Sequence, residues 1–111
     1  MNVRWSERAL AEFADTAAYV AREFGRQAAQ KMRDNINEAI ASIAQFPHIG
    51  KVSFSDEETA VEFHELALTL SSIIYAIYEE EIFIVSIWSN RQDRTRLYAE
   101  LNEQPIQTIK Q

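Results

Sequence analysis

The sequence contains no cysteine. That excludes a disulfide framework and a thiolate metal site, and it fits a reducing compartment. Glycine and proline are nearly as scarce, with two of each in 111 residues. Little chain is left for loops, so most of it must be regular structure, and no glycine-rich loop can cradle a phosphate. No apolar run approaches the ~20 residues of a membrane helix. The opening "MNVRWSERAL" has no charged stretch leading into an apolar one, so no secretory signal is expected and the cytoplasm is the expected location. Positive charge is also short: 11 basic residues stand against 17 acidic ones, for a net charge of −6. Such a field opposes contact with nucleic acid, whose binding depends on neutralised phosphates. No spacing of histidine and acid suggests a metal site, and no cofactor is expected.

What remains is an ordinary core-forming composition, with 47% hydrophobic and 25% charged residues, enough for one domain. "NVRW" alternates Val3 and Trp5 with Asn2 and Arg4, as a short edge strand does. Ser6 is placed to cap a helix, with Trp5 and Leu10 at the two positions of a hydrophobic staple. Leu10, Phe13, Ala17, Val20 and Phe24 recur at helical spacing, and Gly25 supplies the stop. A second helix runs from about Gln27 to Gln45, with Met32, Ile36, Ile40 and Ile43 on one face, ended by Pro47 and Gly50. The short link makes the two an antiparallel hairpin.

Residues 51–61, "KVSFSDEETAV", have no period and read as a loop. From Glu62 the period is two, which puts His64, Leu66, Leu68 and Leu70 on one side. "SIIYAIY" and "IFIVSIW" come next as strands, joined at Glu79, Glu80 and Glu81. Both runs are nearly continuously apolar, so both faces of the sheet need cover. The hairpin covers one. The other falls to the C-terminal segment, to a partner, or to a second copy in a homodimer. The expected fold is therefore α+β: a short N-terminal strand, an antiparallel helical hairpin on a small antiparallel sheet, and a short C-terminal helix. One domain spans residues 1–101, with a tail over 102–111.

The densest basic cluster, Arg91, Arg94 and Arg96, comes directly after the most apolar run, with Asp93 and Tyr98 beside it. Such a cluster is either a working surface or the solvated start of a helix, its arginines paired with Asp93 and Glu100. Arg91 and Asp93 could equally tie the last strand to the C-terminal helix. His64 is a lone imidazole without an evident partner, His48 reads as a loop residue, and Trp88 reads as core. The candidates for catalysis are His64, Arg91, Arg94, Arg96 and Tyr98. Those for binding a target are Arg91, Asp93, Arg94, Arg96 and Tyr98.

Three segments in this order, "VRWSERALAEFADTAAYVAREFG", "AIASIAQFPHIGK" and "IIYAIYEEEIFIVSIWSNRQD", resemble the RelE/ParE toxins of type II toxin–antitoxin systems over roughly residues 3–101. The resemblance implies a toxin that arrests growth and is neutralised by a small antitoxin encoded beside it. It also implies one of two modes. A ParE-like protein binds a protein target, for which DNA gyrase is the candidate; a RelE-like one cleaves mRNA on the ribosome. Where the family has an arginine before "EL", this chain has His64. Where many members have Tyr-Arg before "IIY", it has Ser71 and Ser72. Two basic positions are gone, and cleavage of RNA needs cations to offset phosphate charge plus an acid and a base. The ParE-like mode is therefore the expectation. The alternatives are the ribonuclease and an inactive relative that keeps only antitoxin binding.

Overall fold

A computed structural model describes residues 1–56 and 61–92. The expected C-terminal helix and the 102–111 tail lie outside the described residues, as do Asp93, Arg94, Arg96 and Tyr98. In chain order the elements are β1 (Asn2–Trp5), α1 (Glu7–Phe24), α2 (Arg26–Gln45), β2 (Lys51–Asp56), β3 (Val61–Ala67), β4 (Ser71–Tyr78) and β5 (Glu81–Ser89). The strands form one sheet in the order β1-β5-β4-β3-β2. β1 runs parallel to β5, and the other neighbours are antiparallel.

Sequence dictates the hairpin locally. Ser6 caps α1, its Oγ accepting from Ala9 N at 3.0 Å. Gly25 takes φ 95°, which a Cβ would disfavour, and it closes α1 while opening α2. Ala9, Ala17 and Val20 of α1 and Met32, Ile36, Ala39, Ile40 and Ile43 of α2 are buried. They join Ile73, Tyr75, Ile82, Ile84 and Ile87 of the sheet in one core. The other face carries a second buried cluster, Val61, Phe63, Ile74, Ala76, Phe83, Val85 and Trp88. Trp88 is thus a core residue, as its place in an apolar run implied.

Four expectations change. Lys51–Asp56 is an edge strand and not a loop; it pairs with β3 from Lys51↔Glu65 to Asp56↔Val61, with an irregularity between Val52 and Phe54. An edge strand can show polar side chains to water, so its alternation carries little apolar signal. The staple is also different. Leu10 is 54% exposed, and Trp5 instead packs edge-on against Phe13, centroids 5.4 Å apart, because β1 delivers the indole one turn further along α1. Phe24, read as part of the apolar stripe, is 65% exposed. Finally, the β4–β5 turn is tighter than three glutamates. Tyr78 pairs with Glu81, leaving Glu79 and Glu80 as a two-residue loop with φ 51° and 65°. Positive φ at both positions gives the twist a two-residue hairpin requires.

β1 ends before β5 does, and α1 takes over the exposed edge. Ser6 N donates to Ile84 O at 3.0 Å, and Ser6 Oγ donates to Val85 O at 2.9 Å. Further on, one carboxylate oxygen of Glu12 accepts from Ser86 Oγ at 2.7 Å and from Ile87 N at 3.2 Å. Arg8 Nε stands 3.5 Å from the same oxygen. Backbone groups of β5 that a longer β1 would have paired, at Val85 and Ile87, are thus met by side chains of α1 and its cap.

Glu12 makes this edge sensitive to pH. Burial pushes its carboxyl up from the ordinary value, against the Ser86, Arg8 and Ile87 contacts that pull it down. The folded chain therefore holds a proton at pH values where the unfolded chain has released it. Its contribution to stability falls as pH rises from the ordinary carboxyl value to the raised one, and is flat above. Glu12→Gln keeps an acceptor and no charge, so it should gain stability on wild type as pH rises above the ordinary carboxyl value. Glu12→Ala leaves two donors unmet and should cost about 1–3 kcal/mol. Urea denaturation of the three chains across that pH range checks both; wild type gaining on the glutamine variant with rising pH would show that the favourable contacts outweigh burial.

Candidate functional site

The site is built where β5 ends against α1. Arg91 lies just past β5 and is exposed, its backbone N donating to Ser89 Oγ at 3.4 Å. Its guanidinium carbon lies 3.9 Å from the ring centroid of Tyr19. Arg22, one turn along α1, places its own guanidinium 5.8 Å from the same centroid. Phe24 meets Tyr19 edge-on with centroids at 6.4 Å. Two cations and two aromatic rings therefore share one surface at the last turns of α1. An arginine on a ring face is held by the ring quadrupole, worth about 0.5–2 kcal/mol, and keeps its N–H edge free for a partner. Of the sequence candidates for target binding, Arg91 is the one that the described residues contain, and it is tied to the helix as much as to the strand.

Tyr19 and Arg22 are not among the residues that the sequence singles out. Their spacing of three on α1 is a local signal. The partnership with Arg91 is not local, and nothing short of the fold reveals it.

His64 lies elsewhere. It is 5% exposed, on the helix-facing side of β3, stacked on Tyr75 with centroids 5.3 Å apart and an interplanar angle of 18°. Its Nδ1 is 3.3 Å from Gly50 O. Tyr75 Oη accepts from Gly50 N at 2.9 Å and donates to Pro47 O at 2.7 Å. Burial raises the phenol further, which keeps its proton in that bond. The exposed His48 ring meets His64 edge-on at 5.9 Å. His64 thus braces the turn from α2 into β2. Ser71 and Ser72, at the other departed positions, are 2% and 0% exposed. Ser72 Oγ donates to Asn90 Oδ1 at 2.9 Å, and Asn90 in turn reaches Leu68 O and Leu70 O. These serines close the β3–β4 connection. No group of three or more metal-ligating side chains occurs among the described residues, and no described helix is long and apolar enough to cross a membrane.

A family model described as the ParE toxin of type II toxin–antitoxin system, parDE, matches residues 3–94. The chain belongs to the ParE toxin family. Its fold is similar to a chain of the chromosomal ParDE toxin–antitoxin system from P. aeruginosa, with a TM-score of 0.63 and 21% identity, covering 80% of this chain and 95% of that one. No curated protein sequence matches. Membership bears out the toxin reading on its ParE-like side, and the shared fold bears out the helical hairpin on a sheet. In this ParE-family toxin the β5 end and the last turns of α1 form the surface on which Arg91, Tyr19 and Arg22 meet.

Proposed function

We propose that this ParE-family toxin acts in the cytoplasm, is held inactive by a small cognate antitoxin, and arrests growth by binding a protein target, with DNA gyrase the first to examine. The target surface starts at Arg91, Tyr19 and Arg22 and continues into the segment that holds Asp93, Arg94, Arg96 and Tyr98. The observation that carries this reading is the exposed Arg91 guanidinium packed 3.9 Å over Tyr19. Arginine and tyrosine are the side chains that concentrate binding energy at protein interfaces, and a pre-stacked arginine loses less freedom on docking. Two further facts support it over RNA cleavage: the net charge of −6, and the burial of His64 against Tyr75.

Induction of the gene with and without the short neighbouring reading frame tests the pairing: arrest is expected without that frame and rescue with it. Purified chain should inhibit gyrase supercoiling, and Arg91→Ala should weaken that about tenfold, the size of one strong cation–π-anchored contact. Light scattering on the same preparation reports whether a homodimer forms. In a toeprint assay on translating ribosomes the mRNA should stay uncut. Cleavage by wild type that vanishes in a folded Arg91→Ala, Arg94→Ala, Arg96→Ala variant would overturn the reading in favour of the ribonuclease. Antitoxin binding without any arrest would mark a chain that only binds antitoxin.

A further inference from the structure

The end of the helical hairpin where α1 turns into α2 at Gly25 holds a shallow cleft of about 400 Å³, lined by Ala21 of α1 and by Arg26, Gln27, Ala29, Gln30 and Arg33 of α2. Arg26 and Arg33 are separated by two helical turns, so they stand on one face with Gln30 between them. No carboxylate lines the cleft. Asp34, next along α2, accepts from Gln30 Nε2 at 2.8 Å, which leaves that amide's second hydrogen for another acceptor. Among the described residues neither Arg26 nor Arg33 forms an ion pair. Among those residues both guanidinium groups are therefore without a carboxylate partner, although acids outnumber bases by 17 to 11 in the chain. Nor does Arg26 serve its own helix: it opens α2, where the backbone dipole disfavours a cation.

We propose that this cleft binds a small phosphate-bearing anion. Arg26 and Arg33 each present a planar fork of N–H donors, the geometry that phosphate oxygens accept bidentately. One carboxylate, with two oxygens, satisfies one fork; a diphosphate has oxygens for both. Gln27 and Gln30 add carboxamide hydrogens at the rim, and Ala21 and Ala29 leave a low floor that lets the anion approach. The site shares no lining residue with the Arg91 surface, though Ala21 lies beside Arg22, and the proposal does not depend on what the toxin targets.

Pyrophosphate is the probe. It is titrated into the full chain at low salt and monitored by calorimetry and by amide shifts in nuclear magnetic resonance. Saturable binding is expected with shifts centred on α2's first turns, weaker for inorganic phosphate and falling steeply as salt is added. Arg26→Gln, at an exposed position, should weaken it about tenfold, and the Arg26→Gln, Arg33→Gln pair should remove it, with unchanged thermal midpoints in the absence of ligand. Lys51→Gln on β2 is the control and should bind as wild type does. Absence of saturable binding, equal binding by the double variant, or tighter binding of a hexaglutamate peptide than of pyrophosphate would each overturn the proposal.

Discussion

Ile36→Ala should destabilise the chain by about 2–5 kcal/mol, the cost of a deep large-to-small change. Ile36 is 1% exposed and lies mid-way along α2. Met32, Ile40 and Ile43 flank it on the helix, and Ile73, Ile82, Ile84 and Ile87 belong to the same core. The site cannot easily collapse around a lost side chain. α2 is fixed at one end by Gly25 and at the other by the Pro47–Tyr75 hydrogen bond, and the sheet below is laced by five strands. The removed atoms therefore leave a cavity as well as a transfer cost. Leu10→Ala is the matched control: Leu10 is 54% exposed, so its loss should stay within about 0.5 kcal/mol. Denaturant unfolding of both variants decides it. An Ile36→Ala cost below about 1 kcal/mol would show that α2 does not press on the sheet as described. Because small domains hold only about 5–15 kcal/mol in total, this variant should also lose growth arrest through lower abundance.

The helices were legible because their signals are local. Ser6, Gly25 and Pro47 mark ends, and Met32, Ile36, Ile40 and Ile43 mark a face. β4 and β5 were legible as apolar runs covered on both sides. β2 was not, because an edge strand owes its existence to the neighbour it pairs with, and the Lys51–Asp56 side chains carry no apolar alternation of their own. Phe24 and Leu10 misled for the opposite reason: helical spacing finds the stripe, but not where it ends, at the last turn for Phe24 and at the side of the stripe for Leu10, next to the fully buried Ala9.

The site divides the same way. Arg91 stood out as part of a charge cluster, whereas Tyr19 and Arg22 became its partners through packing across most of the chain. The orientation of His64 was already written in the alternation that set it beside Leu66; that it braces Gly50 and Tyr75 required the fold. Glu12 is the residue that carries no signal in the sequence. An acid at the border of the apolar stripe, next to Phe13, has two ends open to it, water or an unpaired backbone donor, and only the early end of β1 decides for the second.

Gly50→Ala should cost about 2–4 kcal/mol, from overpacking of about 1–3 and one broken hydrogen bond of about 1. A Cβ placed on Gly50 would stand 2.8 Å from Glu65 O, 2.8 Å from Tyr75 Oη and 2.9 Å from Tyr75 Cε1. None of these can retreat cheaply. Glu65 is held in the β2–β3 ladder opposite Lys51. The Tyr75 ring is wedged in the core at 0% exposure with His64 stacked on it. Its hydroxyl is committed on both sides, to Gly50 N and Pro47 O. The strain must therefore open the corner that turns α2 into β2, and with it the edge of the sheet. Tyr75→Phe separates the two causes. It keeps the ring and adds no atoms, but it leaves Gly50 N and Pro47 O without their partner, for about 1–3 kcal/mol. The Gly50→Ala, Tyr75→Phe double variant should then lose less than the two single losses added together, since removing the hydroxyl relieves one of the three close approaches. Full additivity in urea denaturation, or a Gly50→Ala cost under about 1 kcal/mol, would mean that the corner is not packed tightly enough for the glycine to be needed.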